Sequence, residues 1–110
     1  EAEAEMDAVT AVSGSGPAYV FLLAEAMEKA GVAAGLDPAL ARRLARATVS
    51  GAGELLAQSG LDAATLRRNV TSPGGTTAAA LEVLMSEGGL EDRMREAVLA
   101  GMVRSRELAK

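Results

Sequence analysis

The sequence predicts an all-α domain, and three observations lead to that prediction. Hydrophobic residues make up 49% of the 110 residues, yet aromatic residues make up only 2%. A core built from Ala, Leu, Val and Met suits helices that pack closely on small side chains. β-branched residues never accumulate in alternating runs bounded by turn residues, so no strand is predicted. The length is that of one domain, and residues 1–110 are interpreted as a single helical domain without repeats or linkers.

Glycine, proline and capping residues mark where the predicted helices begin and end. The segment Ser13 to Gly16 is interpreted as a flexible break, after which Pro17 restarts the helix, since proline suits the first helical turn. Gly35 closes this second helix, and Asp37 and Asp62 are predicted N-caps. The predicted helices cover residues 4–12, 18–34, 38–58, 63–69, 75–87 and 90–109.

The first four residues, Glu1 to Ala4, carry two acids. We interpret them as native sequence that forms the first turn of a helix, where carboxylates stabilise the positive end of the helix dipole. A processing scar is the alternative. Because the chain does not begin with Met, Glu1 is expected to be a cut end rather than a natural start.

The second predicted helix has an unusual first half. Tyr19 to Leu23 is apolar on every side, and charges appear only from Glu25 onward. A helix with no polar face must be enclosed on all sides, and few helices of a 110-residue monomer can be. The sequence therefore predicts an obligate dimer with a large hydrophobic interface. A central helix inside a monomeric bundle is the alternative.

Two glycines lie inside the third predicted helix, at Gly51 and Gly53. Each glycine in a helix interior costs about 1 kcal/mol relative to alanine. The pair is therefore interpreted as a place where another backbone comes close, with a local kink as the alternative.

Composition excludes several classes of function. A net charge of -4 without a Lys/Arg cluster argues against nucleic acid. The chain has no Cys and no His, so no thiolate nucleophile, histidine base or metal site is predicted. The longest apolar run, Ala18 to Ala24, is far shorter than the roughly 20 residues of a membrane span, and the protein is expected to be soluble. Any chemistry must come from a cofactor, hydroxyls, charged groups, backbone amides or another chain.

The segment from Asn69 to Thr77 is the candidate site. Two glycines allow close approach of a ligand, and the backbone N–H groups of Gly75, Thr76 and Thr77 are expected to be free at a helix N-terminus, where anions bind. With the hydroxyls of Ser72, Thr76 and Thr77, such a site suits a small carboxylate. An ordinary loop, in which Ser72 or Thr71 caps the helix, is the alternative, and the residues alone do not decide between them.

Three motifs, in this order and spacing, resemble the signature of pyrroline-5-carboxylate reductases. They are Asp7-Ala8-Val9-Thr10-Ala11-Val12-Ser13-Gly14-Ser15-Gly16-Pro17-Ala18-Tyr19, then Val70-Thr71-Ser72-Pro73-Gly74-Gly75-Thr76-Thr77, then Arg104-Ser105-Arg106-Glu107-Leu108. The resemblance implies an enzyme of proline biosynthesis that transfers a hydride from NAD(P)H to the C=N carbon of 1-pyrroline-5-carboxylate, giving L-proline. It also implies an N-terminal Rossmann domain, which holds the cofactor, and a helical domain that forms an interlocked homodimer, in some cases a larger ring.

The resemblance further implies roles for individual residues. The loop residues Ser72, Gly74, Gly75, Thr76 and Thr77 would bind the substrate carboxylate. The Thr77 hydroxyl, as the catalytic group, would hydrogen-bond the ring nitrogen, and Asn69 would lie near the cofactor. A cytoplasmic location is expected.

One feature of such an enzyme is missing from the sequence. No G-x-G-x-x-G segment follows a strand, so the nucleotide-binding domain is expected to be absent from this chain, which should not bind NAD(P)H tightly. The alternative is a non-catalytic helical assembly module derived from the same family. A groove for amphipathic helices of another protein is a third hypothesis, less favoured because the most apolar surface serves self-association.

We expect residues 1–110 alone to be catalytically inactive, because the cofactor site is missing. Mixed with NADPH and 1-pyrroline-5-carboxylate, the purified chain should leave the near-ultraviolet absorbance of NADPH unchanged, whereas a full-length reductase in the same cuvette should lower it. Loss of absorbance in proportion to the concentration of the chain would refute this prediction.

Overall fold

A computed structural model describes residues 2–109, and every regular element within them is helical. The prediction of an all-α fold is confirmed. Glu1, which the sequence assigns to the first helical turn, lies outside the described residues. The elements are α1 (Ala2–Val9), a π-helix (Thr10–Gly14), α2 (Gly16–Ala33), α3 (Pro38–Gln58), α4 (Ala63–Asn69), α5 (Thr76–Leu84) and α6 (Leu90–Leu108).

The chain divides into two units. The hairpin unit comprises residues 16–61, which form α2 and α3. The terminal unit comprises residues 2–15 and 62–109, which form α1, the π-helix and α4 to α6.

In the hairpin unit, α2 and α3 pack together through small residues. Ala41 and Ala45 of α3 are buried, and a Cβ added at Gly31 of α2 would lie 3.2 Å from the Ala41 Cβ. Gly35, with φ at 107°, ends α2, and the Leu36 N–H donates back to the Gly31 carbonyl at 3.0 Å. Small side chains therefore bring the two helices close but bury little area.

Side-chain capping fixes the start of two helices, as predicted. Asp37 Oδ2 accepts hydrogen bonds from the backbone amides of Ala39 at 3.1 Å and Leu40 at 3.3 Å. Asp62 Oδ1 accepts one from the Thr65 amide at 2.8 Å. These bonds satisfy N–H groups that a helix N-terminus leaves unpaired.

In the terminal unit, the start and the end of the chain pack together. The α1 helix and the π-helix both contact α6, and Ala11 is buried. The Ser105 hydroxyl donates to Asp7 Oδ1 at 2.7 Å, and the Arg106 guanidinium lies 3.9 Å from Asp7 Oδ2. This polar contact joins α1 to α6 across 98 residues of sequence.

The predicted flexible break at Ser13 to Gly16 is wrong. The chain winds from α1 into the π-helix, where the Ser15 N–H donates to the Thr10 carbonyl at 2.9 Å. The Ser13 hydroxyl adds a bond to the Val9 carbonyl at 3.0 Å. Gly16 is already the first residue of α2, so the glycines and serines here continue helical structure with a wider turn.

The fifth predicted helix is shorter than expected. It ends at Leu84 rather than at Glu87. The Ser86 hydroxyl donates to the Val83 carbonyl at 2.6 Å, and Gly88 has φ at 75°. The turn toward α6 therefore begins before the two glycines Gly88 and Gly89, at which the sequence predicts the end of the helix.

Neither Gly51 nor Gly53 interrupts α3. A Cβ added at either position would meet no described atom within 4 Å. Packing within one chain therefore does not explain them, and close approach of a second chain stays a prediction.

Large apolar side chains remain exposed. Among the described residues, the buried hydrophobic side chains are three alanines, Ala11, Ala41 and Ala45. By contrast, Phe21 is 71% exposed and Leu22 is 64% exposed. A single chain thus leaves uncovered the apolar surface that normally stabilises a fold.

The charge of Asp62 should make stability depend on pH. Hydrogen bonds from the Thr65 side chain, and secondarily from its backbone amide, hold the pKa of Asp62 below its ordinary 3.8. The stabilisation is therefore complete above that value and lost as the pH falls through the lowered pKa. The control variant Asp62→Asn keeps a hydrogen-bond acceptor but has no titrating charge. As the pH falls from neutral to about 3, the free energy of unfolding of wild type should fall relative to that of Asp62→Asn, measured by urea unfolding at fixed protein concentration. An unchanged difference between the two proteins would contradict this.

Candidate functional site

The candidate site begins where α4 ends. The Val70 N–H donates to the Arg67 carbonyl at 3.3 Å, and the Thr71 N–H donates to the Arg68 carbonyl at 3.1 Å. The Thr71 hydroxyl also donates to the Arg67 carbonyl, at 2.6 Å. These bonds close the C-terminus of α4 and fix the direction in which the loop leaves it.

A tight turn follows at Ser72-Pro73-Gly74-Gly75. The Gly75 N–H donates to the Ser72 carbonyl at 3.0 Å, and Gly74 has φ at 71°. Proline at the second position and a positive-φ glycine at the third are typical of a type II turn. A Cβ at Gly75 would lie only 3.2 Å from the Ser72 carbonyl oxygen. A side chain at this position would therefore crowd the turn, which favours glycine here as well.

The turn leads directly into the N-terminus of α5, which no side chain caps. Gly75 occupies the N-cap position, without a side-chain hydrogen bond. The alternative in which Ser72 or Thr71 caps the helix is therefore wrong, since the Thr71 hydroxyl bonds to α4 instead. In this respect α5 differs from α3 and α4, which are capped by aspartates.

Several backbone amides at this N-terminus lack an acceptor. Within residues 2–109, the N–H groups of Gly74, Thr76, Thr77 and Ala78 donate to no backbone or side-chain oxygen. The Gly75 N–H, expected to be free, is used by the turn. A cluster of free amides at the positive end of a helix favours an anion.

The predicted site residues lie on this one segment of the terminal unit. The hydroxyls of Ser72, Thr76 and Thr77 are on exposed residues, and Asn69 is the exposed last residue of α4. Gly75 is half-buried. The arrangement offers neutral donors to a small anion and contains no strong base.

Two arginines near the loop were not identified from the sequence as site residues. Arg67 and Arg68, in the last turn of α4, line a hollow of about 290 Å³ together with Thr71 and Glu82. Arg68 Nη2 donates to Thr65 Oγ1 at 3.2 Å. The adjacent arginines just before Asn69 were the available signal, and they place positive charge next to the amide cluster.

Two further features bear on function. Among the described residues there is no group of three or more metal-ligating side chains, and no helix combines the length and apolarity needed to cross a bilayer. The described chain also contains no strand, so it does not offer the strand, glycine-rich turn and helix that bind a dinucleotide.

An all-helical chain with uncovered apolar surfaces on its described residues defines a helical association domain. Comparison with known families gives a more specific assignment than the fold does. A family model described as pyrroline-5-carboxylate reductase dimerisation matches residues 3–108, so the chain belongs to that family, as the three motifs indicated.

Relatives named pyrroline-5-carboxylate reductase agree with this assignment. The chain is 49% identical to one from Pseudomonas aeruginosa, covering 98% of the chain and 39% of the relative. It is 48% identical to one from Mycobacterium leprae, covering 96% of the chain and 42% of the relative. The chain thus spans about two fifths of the length of these relatives.

Solved structures show the same fold. A pyrroline-5-carboxylate reductase from Coxiella burnetii superposes with a TM-score of 0.91 at 39% identity, over 100% of this chain and 40% of that one. A Plasmodium falciparum pyrroline carboxylate reductase with NADP bound gives a TM-score of 0.88 at 36% identity, over 96% and 42% of the two chains.

Gly74→Ala should destabilise the chain by straining the turn. The left-handed conformation costs a non-glycine residue about 1 kcal/mol, and no atom within 4 Å of an added Cβ would compensate. Gly60→Ala is the matched control. Gly60 also lies in a loop, and a Cβ added there would likewise meet no atom within 4 Å, but its φ is not positive. Urea unfolding at equal protein concentration measures both. Equal stability of the two variants would argue against a strained turn at Gly74.

Proposed function

We propose that this chain forms a homodimer and supplies the substrate-carboxylate site of a pyrroline-5-carboxylate reductase. The whole protein would reduce 1-pyrroline-5-carboxylate to L-proline with NAD(P)H. The observation that carries the proposal is the set of unpartnered amides at the N-terminus of α5, in a chain that belongs to this family's dimerisation domain.

The chemistry of the loop supports a carboxylate ligand. The free amides of Thr76 and Thr77 can each donate to a carboxylate oxygen, and the helix dipole favours the negative charge. The Ser72 hydroxyl adds a donor that carries no charge of its own. These neutral donors would bind the anion directly, and Arg67 and Arg68 in the last turn of α4 would add positive charge near it.

In this proposal, the Thr77 hydroxyl hydrogen-bonds the ring nitrogen while its neighbouring amides hold the carboxylate. Hydride addition at the C=N carbon converts the imine into an amine, so the nitrogen must carry a proton at the end of the step. A fixed hydroxyl beside the nitrogen aligns the ring for that change. Asn69, at the other end of the loop, would face the cofactor.

The cofactor would be held by another part of the whole protein. Residues 2–109 form no strand of the strand, glycine-rich turn and helix that hold a dinucleotide, and the family relatives are longer than the segment they share with this chain. The NADP in the Plasmodium falciparum structure supports a pyridine nucleotide as the hydride donor of the parent enzyme. We propose residues 1–110 as one dimerisation and substrate domain of a cytoplasmic enzyme, in which dimers can assemble into larger rings.

Titration with L-proline, followed by amide NMR spectra, should move the resonances of Gly74 to Thr77. The product carries the same carboxylate as the substrate, and the free amides are its expected donors. Resonances of α3, such as those of Gly51 and Gly53, serve as internal controls and should stay in place. No change at Gly74 to Thr77 up to millimolar proline would favour the assembly module without a ligand site.

Thr77→Ala, introduced into the full-length parent enzyme, should lower kcat/KM about 5- to 150-fold. Loss of a useful hydrogen bond costs roughly 1–3 kcal/mol. Thr77→Ser keeps the hydroxyl and should recover most of the activity. A value of kcat/KM for Thr77→Ala within a few-fold of wild type would rule out this role for Thr77.

A further inference from the structure

A hollow of about 290 Å³ lies beside the candidate site, between α4 and α5 of the terminal unit. This α4–α5 hollow is close to the lower end of the size range of small-molecule pockets, roughly 300 Å³, so it suits a molecule the size of one amino acid. Ala78, whose amide is one of the free donors at the α5 N-terminus, also lines the hollow, whereas residues 72–77 do not. The hollow is therefore a neighbour of the carboxylate loop with a lining of its own.

The α4–α5 hollow carries charges of both signs. Arg67 and Arg68 come from the last turn of α4, and Glu82 comes from α5. Within residues 2–109, neither guanidinium forms an ion pair with the Glu82 carboxylate, and Glu82 pairs with no other cation there. Two cations and one anion thus line the same hollow from different helices without neutralising one another.

The arginines of α6 behave differently. Arg93 lies 3.7 Å from the Glu96 carboxylate, and Arg104 donates to Glu107 at 3.3 Å. Both pairs join residues three positions apart, where helix geometry brings side chains together. No acidic residue lies three or four positions from residue 67 or residue 68 in the sequence. The charges of the α4 arginines therefore depend on groups outside their own helix.

The polar groups of the hollow retain unused hydrogen-bonding capacity. Arg68 Nη2 donates to Thr65 Oγ1 at 3.2 Å, which uses one of the five N–H donors of the guanidinium. The Thr71 hydroxyl donates to the Arg67 carbonyl at 2.6 Å, so its oxygen can still accept a hydrogen bond. Guanidinium groups bind carboxylates through parallel N–H donors, and the Glu82 carboxylate attracts a cationic nitrogen. The hollow can therefore bind a carboxylate and a cationic nitrogen of the same molecule.

The hollow also has an apolar surface. Ala78, Leu81, Glu82 and Met85 recur at helical spacing and thus share one face of α5. Leu81 is half-buried, and Met85 is 59% exposed. A ring or short aliphatic chain placed between the charged groups would cover these two side chains and remove apolar surface from water.

We propose that the α4–α5 hollow is a second binding site, which takes the zwitterion of a small α-amino or α-imino acid. The carboxylate of the ligand binds Arg67 and Arg68, its cationic nitrogen binds Glu82, and its apolar part covers Leu81 and Met85. A single exposed ion pair contributes little to binding, so both charges of the ligand are needed together. The carboxylate loop differs from this site because its donors are neutral and residues 69–77 contain no acid for a cationic nitrogen.

L-Proline and cyclopentanecarboxylate distinguish the two sites. Both have a five-membered ring and a carboxylate, but only proline has a cationic nitrogen. In titrations of the ¹⁵N-labelled chain, proline should move the side-chain Nε–H resonances of Arg67 and Arg68 with a Kd in the millimolar range. Cyclopentanecarboxylate should bind there about fivefold more weakly, because it leaves Glu82 without a cation. The Nε–H resonances of Arg93 and Arg104, which are paired on α6, serve as controls and should stay in place.

Variants that remove one charge test which groups bind the ligand. Glu82→Gln should weaken proline binding, read at the arginine resonances, about fivefold and abolish the preference for proline over cyclopentanecarboxylate. Arg67→Gln should weaken the binding of both ligands, read at Arg68. Glu96→Gln is the matched control, because it removes an exposed carboxylate of α6 outside the hollow and should change neither affinity. Far-ultraviolet circular dichroism would verify that each variant stays helical.

The outcomes separate the second site from the proposed function. Movement of Gly74 to Thr77 without movement at Arg67 and Arg68 overturns the second site and leaves the carboxylate loop standing. Movement at the arginines without movement of the loop supports the second site and contradicts the proposed loop. Equal affinity of the two ligands at the arginines, or unchanged proline binding by Glu82→Gln, overturns the assignment of a zwitterion to the hollow.

Discussion

The rest of the structure depends on apolar side chains that one chain cannot cover. Phe21, Leu22 and Val83 are each about two-thirds exposed, while the side chains buried among residues 2–109 are alanines. Burying a Leu or Phe side chain stabilises a fold by about 1.5–3 kcal/mol, whereas a buried alanine contributes far less. Helices of this chain thus have their geometry set by caps and turns, but their stability must come from association.

Small residues explain why the helices fit together without giving the chain a substantial core. Gly31 and Ala41 allow α2 and α3 to approach closely, and this contact buries little area. Likewise the bond between Ser105 and Asp7 joins the ends of the chain through polar atoms. The loop between Asn69 and Thr76 leads into α5, a helix that makes no extensive packing contact within the described residues.

Much of this fold follows from local sequence signals. Asp37 and Asp62 act as the N-caps that the sequence indicates, and α4 begins and ends at the predicted residues. The π-helix could not be predicted, because Ser13 to Gly16 reads as a break unless the bond from Ser15 to the Thr10 carbonyl is known. At the site, the motif locates the loop, but the use of the Gly75 amide by the turn depends on the positive φ of Gly74. The arginines at 67 and 68 belong to no motif, and their position just before Asn69 was the one sequence signal for positive charge beside the loop.

The mass of the chain in solution tests the dependence on association most directly. Sedimentation equilibrium over a wide range of protein concentration should give twice the mass of one chain down to the micromolar range, with helical circular dichroism retained. A chain that remains helical, stable and monomeric at the highest concentration would mean that its exposed apolar surfaces need no partner, and the proposed homodimer would be incorrect.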